Sequence, residues 1–235
     1  MKSLIFGVLG LTVMVVLSIE GGLDAYIQKH AIFLVCGGSI FLLFFCTPDH
    51  ALKVTWRSVL NLMKPDEDFR KYQPDLESLA RDRTLPGPSK NKLINYAAEL
   101  WAKGVDPDLF VVLVSQKRME LENDSIEALQ TLKNLAKYPP GLGITGTVMG
   151  MIDLFSNIDS NKDSVGASIA LAMTATFFGL FLTNVFIGPI ADRVQIRFVN
   201  RKRMFNYIYK ILLLINQDEP IALVTSEIQE ERKVG

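Results

Sequence analysis

Residues 138–155 read YPPGLGITGTVMGMIDLF. Asp153 is the one charged residue of this stretch, and nearly all the others are apolar or small, as in a helix that crosses a lipid bilayer. Pro139 and Pro140 lack a backbone N–H group, so their position at the beginning of the stretch favours a helix start or a hinge. We therefore predict a transmembrane helix that begins at these prolines.

Three glycines recur along this predicted helix. Gly146 and Gly150 are four residues apart, and Gly143 lies one turn before them. Small residues at this spacing let the backbone of a second helix approach closely. Ordinary packing of transmembrane helices and a specialised interface explain them equally well. In either case the three glycines are predicted to pack helices.

Three other stretches carry no charge, at residues 3–19, 31–48 and 164–191. The first two are short for a bilayer core, which takes roughly 20 residues of helix, so buried helices of a soluble protein are the alternative. We favour membrane spans because Gly21, Gly22 and Pro48 end these two stretches. The predicted fold class is therefore all-α, a polytopic membrane protein with four transmembrane helices.

The first stretch also has a feature of a signal peptide, because Lys2 precedes it. The residues that follow, Ser18-Ile19-Glu20, are a poor cleavage site. We therefore predict that the first stretch stays in the protein as a permanent membrane helix.

Basic residues cluster after the second and the fourth stretch, and basic flanks mark the cytoplasmic side of a membrane. In the other two connections, the only basic residues apart from histidine are Lys29 and Lys162. Both termini and the region between the second and third stretches are therefore expected in the cytoplasm. The predicted organisation is a transmembrane hairpin at 1–48, a cytoplasmic helical region at 49–137, a second transmembrane hairpin at 138–191, and a cytoplasmic C-terminal helix and tail at 192–235.

The predicted cytoplasmic parts contain three helical patterns. Apolar spacing predicts helices over residues 92–102, 107–135 and 195–215. Asp106 is the expected N-cap of the second helix, and this helix could continue into the third span. Turn signals end or interrupt the chain around these helices, at Lys64-Pro65, Gln73-Pro74, Pro86-Gly87-Pro88 and Asp218-Glu219-Pro220.

Residues for catalysis are missing from the sequence. It has no cluster of His and Cys, no phosphate-binding glycine loop and no pairing of a nucleophile with a base. Cys36 and Cys46 both lie in the second stretch, where they fit as small apolar residues. We therefore predict that the protein is not an enzyme and has no catalytic residue, metal site, cofactor or nucleic-acid partner.

Hydroxyl groups distinguish the third and fourth stretches, at Thr145, Thr147, Thr174 and Thr176. A single hydroxyl in a membrane helix commonly bonds its own backbone, but a ring of hydroxyls from several copies could line an ion path. No acidic residue lies in the middle of any stretch, so an ion-carrying carboxylate would come from another chain. Asp153 is near the outer end of its helix, and we expect it at an interface or, alternatively, at the ion entry.

The third stretch contains the pattern Pro140-x-x-Gly143-x-x-Gly146-Thr147-x-x-Gly150. The fourth reads Ala170-Leu-Ala-Met-Thr-Ala-Thr-Phe-Phe-Gly179, and Gly188-Pro189-Ile-Ala-Asp192 follows it. Together these patterns resemble the two signatures of the MotA family, including its sodium-driven PomA branch, within the wider MotA/TolQ/ExbB group. Four spans favour MotA over TolQ and ExbB, which have three.

The resemblance implies a stator subunit of the flagellar motor in the bacterial inner membrane. It implies a homopentamer around a dimer of a MotB-like subunit, whose single helix carries the essential aspartate. It also implies that ions drive a rotation of the ring and that torque passes to the rotor protein FliG. It implies no cofactor; the ion is a transported species and is not a bound cofactor.

The resemblance also implies roles for single residues. Pro140 and Pro189 match the two prolines that couple ion passage to movement, and Thr147 and Thr176 match positions that face the partner's aspartate. Ala175 stands where sodium-driven members tend to have threonine, so protons are the predicted ion and sodium is the alternative. The predicted ion-path residues are Thr147, Thr174, Ala175 and Thr176.

One predicted contact departs from the family pattern. Leu79-Ala80-Arg81 resembles the basic rotor-contacting site, but Pro86-Gly87-Pro88-Ser89-Lys90 replaces the acidic residues expected two helical turns later. The rotor contact could therefore differ, or the motor could serve gliding, envelope energisation or phage defence. A passive membrane scaffold or a small transporter is the alternative of another class, although the inverted repeats of transporters are not visible.

Overall fold

Every regular element in the described parts of the chain is a helix. The computed structural model describes residues 2–17, 28–64, 68–157 and 162–234, and it contains no strand in these ranges. The predicted all-α class is confirmed. The chain forms two compact units, one of Met1–Lys64 with Glu127–Gln195 and one of Pro65–Ile126 with Ile196–Gly235.

The first unit contains the predicted membrane helices. Its elements are α1 (Lys2–Leu17), α2 (Lys29–Ile32), a π-helical turn (Phe33–Gly37), α3 (Gly38–Cys46), α4 (Asp49–Asn61), α8 (Tyr138–Asn157), α9 (Lys162–Phe181) and a second π-helical segment (Leu182–Ile187). Helices α8 and α9 pack along each other, and α2 and α3 with the turn between them pack against this pair. A small apolar core at Ala31, Val35 and Ala175 joins these helices.

The second unit contains a 3-10 turn (Phe69–Tyr72), α5 (Gln73–Asp82), α6 (Lys92–Ala102) and α11 (Ile221–Val234). The long helices α7 (Pro107–Leu135) and α10 (Gly188–Asn216) contribute residues to both units.

The core of the second unit is larger than that of the first. Leu76, Leu93, Phe110, Leu212 and Ile228 are among its fully buried residues, one from each of α5, α6, α7, α10 and α11. Burying such side chains stabilises a fold by about 1.5–3 kcal/mol each relative to leaving them in water. These five helices therefore share one hydrophobic core.

Two helices of the described chain are long and apolar enough to cross a membrane: Lys29–Cys46 and the uninterrupted helix Val165–Asn216. Only 17% and 28% of their most apolar 18-residue windows are buried inside the protein. A core helix of a soluble protein would be mostly buried, whereas these helices leave large apolar side chains such as Phe45 and Met173 uncovered. This exposure is consistent with a membrane protein.

In the predicted cytoplasmic parts, the helices lie where the apolar spacing predicts them. Helices α6 and α7 occupy the predicted ranges, and the Asp106 carboxylate accepts a hydrogen bond from the backbone N–H of Asp108 at 3.0 Å. The predicted helix over 195–215 is the C-terminal part of α10.

Three details differ from the predictions. Helix α7 does not continue into α8, because Ala136 and Lys137 form a turn between them. Pro74 lies in the first turn of α5, where a missing N–H costs nothing, so Gln73-Pro74 begins a helix instead of interrupting one. The predicted tail contains α11, which packs Val224 and Ile228 into the core.

We expect Leu212→Ala to lower the Tm of the detergent-purified protein strongly, because truncating a fully buried leucine costs about 2–5 kcal/mol. Leu223→Ala is the matched control, since Leu223 is exposed on α11. The measurement is thermal unfolding followed by circular dichroism. Equal shifts in the two variants would contradict the core assigned to the second unit.

Candidate ion-path site

Helices α8 and α9 approach so closely that glycine is required at their crossing. A Cβ atom on Gly143 would lie 2.9 Å from the carbonyl oxygen of Ala175, and one on Gly179 would lie 2.5 Å from that of Pro139. The other two glycines singled out from the sequence, Gly146 and Gly150, are also buried against α9. In lipid, helices associate through such close packing and through hydrogen bonds instead of hydrophobic burial.

Two hydroxyl groups meet at this crossing. The side chains of Thr147 and Thr176 hydrogen-bond to each other, and both are half-buried. The carbonyl oxygens of Gly143 and Ala172 lie within 3.0–3.4 Å of the two hydroxyl oxygens. The structure thus brings together two of the predicted ion-path residues, one from each helix.

This cluster has more acceptors than donors. The two hydroxyls have two hydrogens between them, and one of these closes the bond between the threonines. The second can satisfy one carbonyl oxygen, so lone pairs on the hydroxyl oxygens remain to accept from a protonated group or to bind a small cation. The arrangement can therefore receive a proton donor or a dehydrated ion, but it has no group that would hold a charge of its own.

The remaining predicted ion-path residues lie elsewhere on the same helix pair. Ala175 is fully buried in the packing against Gly143 and Gly146, and Thr174 is also buried. By contrast, Thr145 is exposed, and its hydroxyl donates to the carbonyl of Gly141 one turn earlier on its own helix.

Of the two predicted coupling prolines, one lies at a helix start and the other lies inside the uninterrupted helix Val165–Asn216, where the π-helical segment passes into α10. Pro140 lies in the first turn of α8, and Pro189 is the second residue of α10. The π-helical segment Leu182–Ile187 directly precedes Pro189, and the hydroxyl of Thr183 in this segment donates to the carbonyl of Ala136 at 3.2 Å. Since proline has no N–H for the residue four positions earlier, a local widening of the helix at this point has a physical cause.

A polar contact near the other end of the hairpin was not predicted. Ser168, which is almost fully buried on α9, donates its hydroxyl hydrogen to the carboxylate of Asp153 on α8. Asp153 was predicted at an interface or, alternatively, at the ion entry, but its partner was not predicted, because a single serine in an apolar stretch carries no specific signal.

Two further predictions concern groups away from the threonines. Arg81 belongs to the second unit, where it is exposed in the last turn of α5. Among the described residues, no three His, Cys, Asp or Glu side chains are arranged to hold a metal ion.

A tightly packed helix hairpin with a neutral hydroxyl cluster is compatible with the wall of a membrane channel. Residues 88–206, just over half of the chain, match the MotA/TolQ/ExbB proton channel family. The chain belongs to this family, which is one of proton channels and not of catalytic enzymes. The resemblance inferred from the two membrane signatures is therefore confirmed.

Individual relatives agree with this assignment. Motility protein A of Treponema pallidum is 34% identical over 92 residues, which are 39% of this chain and 35% of that protein. The chemotaxis protein PomA of Vibrio alginolyticus is 22% identical over 193 residues, which are 79% of this chain and 76% of that protein. The fold is similar to that in the solved structure of C. jejuni MotAB, with a TM-score of 0.80, 17% identity, and 96% and 93% of the two chains covered.

We expect Gly143→Ala to lower the yield and the Tm of the purified protein. The added Cβ meets backbone atoms of Ala175 and Thr176 that cannot turn aside, and such overpacking typically costs about 1–3 kcal/mol. Gly141→Ala is the matched control two residues away, because a Cβ there meets nothing within 4 Å. The packing assigned to α8 and α9 would be wrong if both variants melted at the wild-type temperature.

Proposed function

We propose that the chain is a stator subunit of the bacterial flagellar motor, which forms an ion channel together with a MotB-like partner and converts ion-motive force into rotation. The observation that carries the proposal is the Thr147–Thr176 hydroxyl pair at the crossing of α8 and α9. Membership of a proton channel family and relatives named Motility protein A and PomA support it.

The need for a partner subunit follows from the lack of an acidic residue beside the Thr147–Thr176 hydroxyl pair. Between the proline start of α8 and the end of α9, the acidic residues in the sequence are Asp153, Asp159 and Asp163, and none lies near the hydroxyl pair in the chain. Proton relays through membranes are built from ionisable side chains such as Asp, Glu and His, so a MotB-like subunit with a single membrane helix supplies an aspartate. The solved structures of C. jejuni MotAB and of the flagellar MotAB stator complex from Bacillus subtilis, which have a similar fold, support a partner of the MotB type.

The assembly is a homopentamer around a dimer of the partner, in the bacterial inner membrane. Residues 1–48 and 138–191 form two transmembrane hairpins, which makes four spans, and 49–137 and 192–235 lie in the cytoplasm with both termini. The clustering of basic residues after the second and fourth apolar stretches supports this orientation. Arg81, exposed on α5, contacts the rotor protein FliG.

The transported ion is the proton. Ala175, at the centre of the helix crossing, has a methyl group where a third hydroxyl would help to replace the hydration shell of sodium. Two hydroxyls and two carbonyls are enough to orient a carboxyl group as it gains and loses a proton. Coupling proceeds through Pro140, in the first turn of α8, and through Pro189, which follows the π-helical segment inside the helix Val165–Asn216.

To test the function, Thr147→Val and Thr176→Val are introduced into a strain that lacks the wild-type gene. Valine keeps the shape of threonine but removes the hydroxyl, so we expect swimming speed to fall by at least severalfold while the complex still assembles. Thr145→Val is the matched control, because the Thr145 hydroxyl bonds only within its own helix in the described contacts. Swimming is measured by video tracking, and assembly by mass measurement of the complex purified with the product of the neighbouring gene.

Two results would contradict the proposed function. One is a monomer that purifies without any single-span partner. The other is normal swimming after deletion in a strain with no second stator set. The latter would favour an ion-driven motor of the same family for gliding, envelope energisation or phage defence, for which the loop Pro86–Pro88 in place of acidic residues is the supporting observation.

The ion is tested separately. We expect swimming speed to follow the proton-motive force and to stay constant when sodium is varied at fixed pH and fixed membrane potential. A speed of the wild type that rises steeply with sodium would reverse the assignment to protons.

A further inference from the structure

A cleft in the first unit lies where a predicted membrane helix ends on the cytoplasmic side. Its volume is about 380 Å³, and its two walls are the beginning of α4 with the residues before it and one side of α7 near its C-terminal end. Cys46 ends the apolar helix Lys29–Cys46 and lines the cleft, and its side chain interacts with that of Tyr138 at the start of α8. The cleft therefore opens at the predicted level of the lipid headgroups.

The α7 wall presents several side-chain oxygen atoms to the cleft. Spacings of three and four residues place four polar residues on one side of the helix, and all four line the cleft: Glu127, Gln130, Thr131 and Asn134. The amide of Gln130 donates to the side-chain oxygen of Asn134 at 3.2 Å, which leaves the oxygen of Gln130 as an acceptor. One carboxylate oxygen of Glu127 lies 3.1 Å from Nδ1 of His50 on the α4 wall, and the other carboxylate oxygen is outside this contact.

Thr131 is the buried member of these four residues. It is only 6% exposed, and its hydroxyl has no hydrogen-bond partner among the described residues. By comparison, the buried Thr55 on α4 donates its hydroxyl hydrogen to the carbonyl of Ala51 on its own helix. Buried polar side chains in proteins nearly always have a hydrogen-bond partner, so the Thr131 hydroxyl is a reason to expect a polar ligand in the cleft.

The oxygens of the α7 wall match a primary ammonium group. Such a group has three N–H donors and no acceptor, and the wall offers it oxygens of Glu127, Gln130 and Thr131. The negative charge of Glu127 selects a cation and strengthens its hydrogen bond. A divalent metal ion is a poorer match, because no three His, Cys, Asp or Glu side chains in the described parts of the chain are arranged to hold one.

The membrane end of the same wall favours a phosphate group. The ammonium of Lys137 donates to the side-chain oxygen of Asn134 at 3.2 Å, so a positive charge and the N–H donors of the Asn134 amide lie together there. Thr131 and Asn134 are about 4.5 Å apart along α7, a separation that the two-carbon linker of ethanolamine can span. In the membrane helix that leads to the cleft, Phe41 and Phe45 are 73% and 88% exposed, which gives acyl chains an apolar surface.

We infer that this cleft binds the headgroup of an ethanolamine phospholipid from the cytoplasmic leaflet. The ammonium bonds oxygens of Glu127, Gln130 and Thr131. The phosphate lies beside Asn134 and Lys137, which are nearer to the membrane because α7 leads towards α8. This is the order of groups in the lipid, whose amine lies beyond the phosphate. The inference goes beyond the proposed stator function and needs only the proposed orientation of the first unit in the membrane.

Native mass spectrometry of the protein purified in detergent tests the ligand. Ethanolamine and choline phospholipids with identical acyl chains are added in equal amounts, because the choline headgroup has the same charges but no N–H donor. We expect the protein to retain about tenfold more of the ethanolamine lipid, a ratio that one hydrogen bond between charged groups can produce. Equal retention of the two lipids, or of phosphatidylglycerol in place of the ethanolamine lipid, would overturn the inference.

Two variants of the α7 wall test the site. Thr131→Val keeps the shape of the side chain but removes the hydroxyl, and Glu127→Gln removes the charge, so we expect each to bring the preference for ethanolamine close to zero. The matched controls are Thr145→Val and Glu120→Gln, since both residues are exposed outside the cleft and Glu120 pairs with Lys117. A preference that survives both wall variants, or that the controls lose equally, would contradict the assigned site.

Soluble phosphoethanolamine separates a lipid from a free metabolite, because it has the same charged groups without acyl chains. Displacement of the bound lipid by an equal concentration of phosphoethanolamine would show a site for a soluble ligand and overturn the assignment to lipid. The lipid measurement is independent of swimming and of the single-span partner. Lost lipid selectivity in a working stator would overturn this inference alone, and retained selectivity in a protein without such a partner would overturn the proposed function alone.

Discussion

The backbone contact between α8 and α9 is the constraint on which the rest of the membrane unit depends. Gly143 and Gly179 allow the two helices to approach until main-chain atoms touch. At that distance the short side chains of Thr147 and Thr176 reach each other, whereas larger residues at the glycine positions would separate the hydroxyls. The hydroxyl pair can therefore form because Gly143 and Gly179 have no side chain.

A neutral hydroxyl cluster can be buried in an apolar environment at lower cost than a charged group. A charged carboxylate in the middle of a membrane helix costs several kcal/mol by most estimates, whereas a threonine hydroxyl can satisfy itself on a nearby carbonyl. The one acidic side chain that α8 carries, Asp153, is placed away from the crossing and accepts a hydrogen bond from Ser168. In the proposed stator complex, this hairpin would contribute shape and hydrogen-bond acceptors, and the partner would contribute the titrating charge.

Sequence patterns predicted the features that depend on local chemistry. The ranges of α6 and α7 were predicted from apolar spacing and, for α7, from the cap Asp106, whose side chain accepts a bond from the backbone N–H of Asp108. The structure adds Asn91 as the cap of α6, with its side chain accepting from the N–H of Leu93. The packing glycines and the candidate ion-path threonines of the hairpin were recognised from their spacing and from the family signatures. These signals lie within one or two helical turns of sequence, so they can be read without the fold.

Features that depend on long-range contacts were missed. Helix α11 has only a short apolar pattern, and its position depends on bonds to distant residues: Gln73 donates to the carbonyl of Ile228, and Tyr207 to that of Glu227. The contact of Ser168 with Asp153 likewise joins residues from two helices. The count of four spans remains a prediction, because α1 has 16 residues and α8 contains glycines and prolines that lower its hydropathy.

The loop between α5 and α6, which departs from the family pattern, is held in place by a charged residue at its start. Arg83 follows α5 in a left-handed conformation, and its guanidinium donates to the carbonyl of Ile215 at 3.0 Å and pairs with Asp218, the other non-glycine residue with positive φ in the described chain. A cation at the C-terminus of a helix satisfies its last carbonyls and opposes its dipole. The loop is thus tied to the end of α10.

The other end of this loop is also fixed, since the side-chain amide of Asn95 bonds both the N–H and the carbonyl of Ser89 at 2.7 Å. A loop held at both ends presents Arg81 from a defined position without the acidic residues that the family pattern would place there. The acidic side chain that the fold places at the start of this loop is Asp218, which is mostly exposed and paired with Arg83. The segment Pro86–Lys90 itself contains no acidic residue, so it offers a contacting surface no negative side chain.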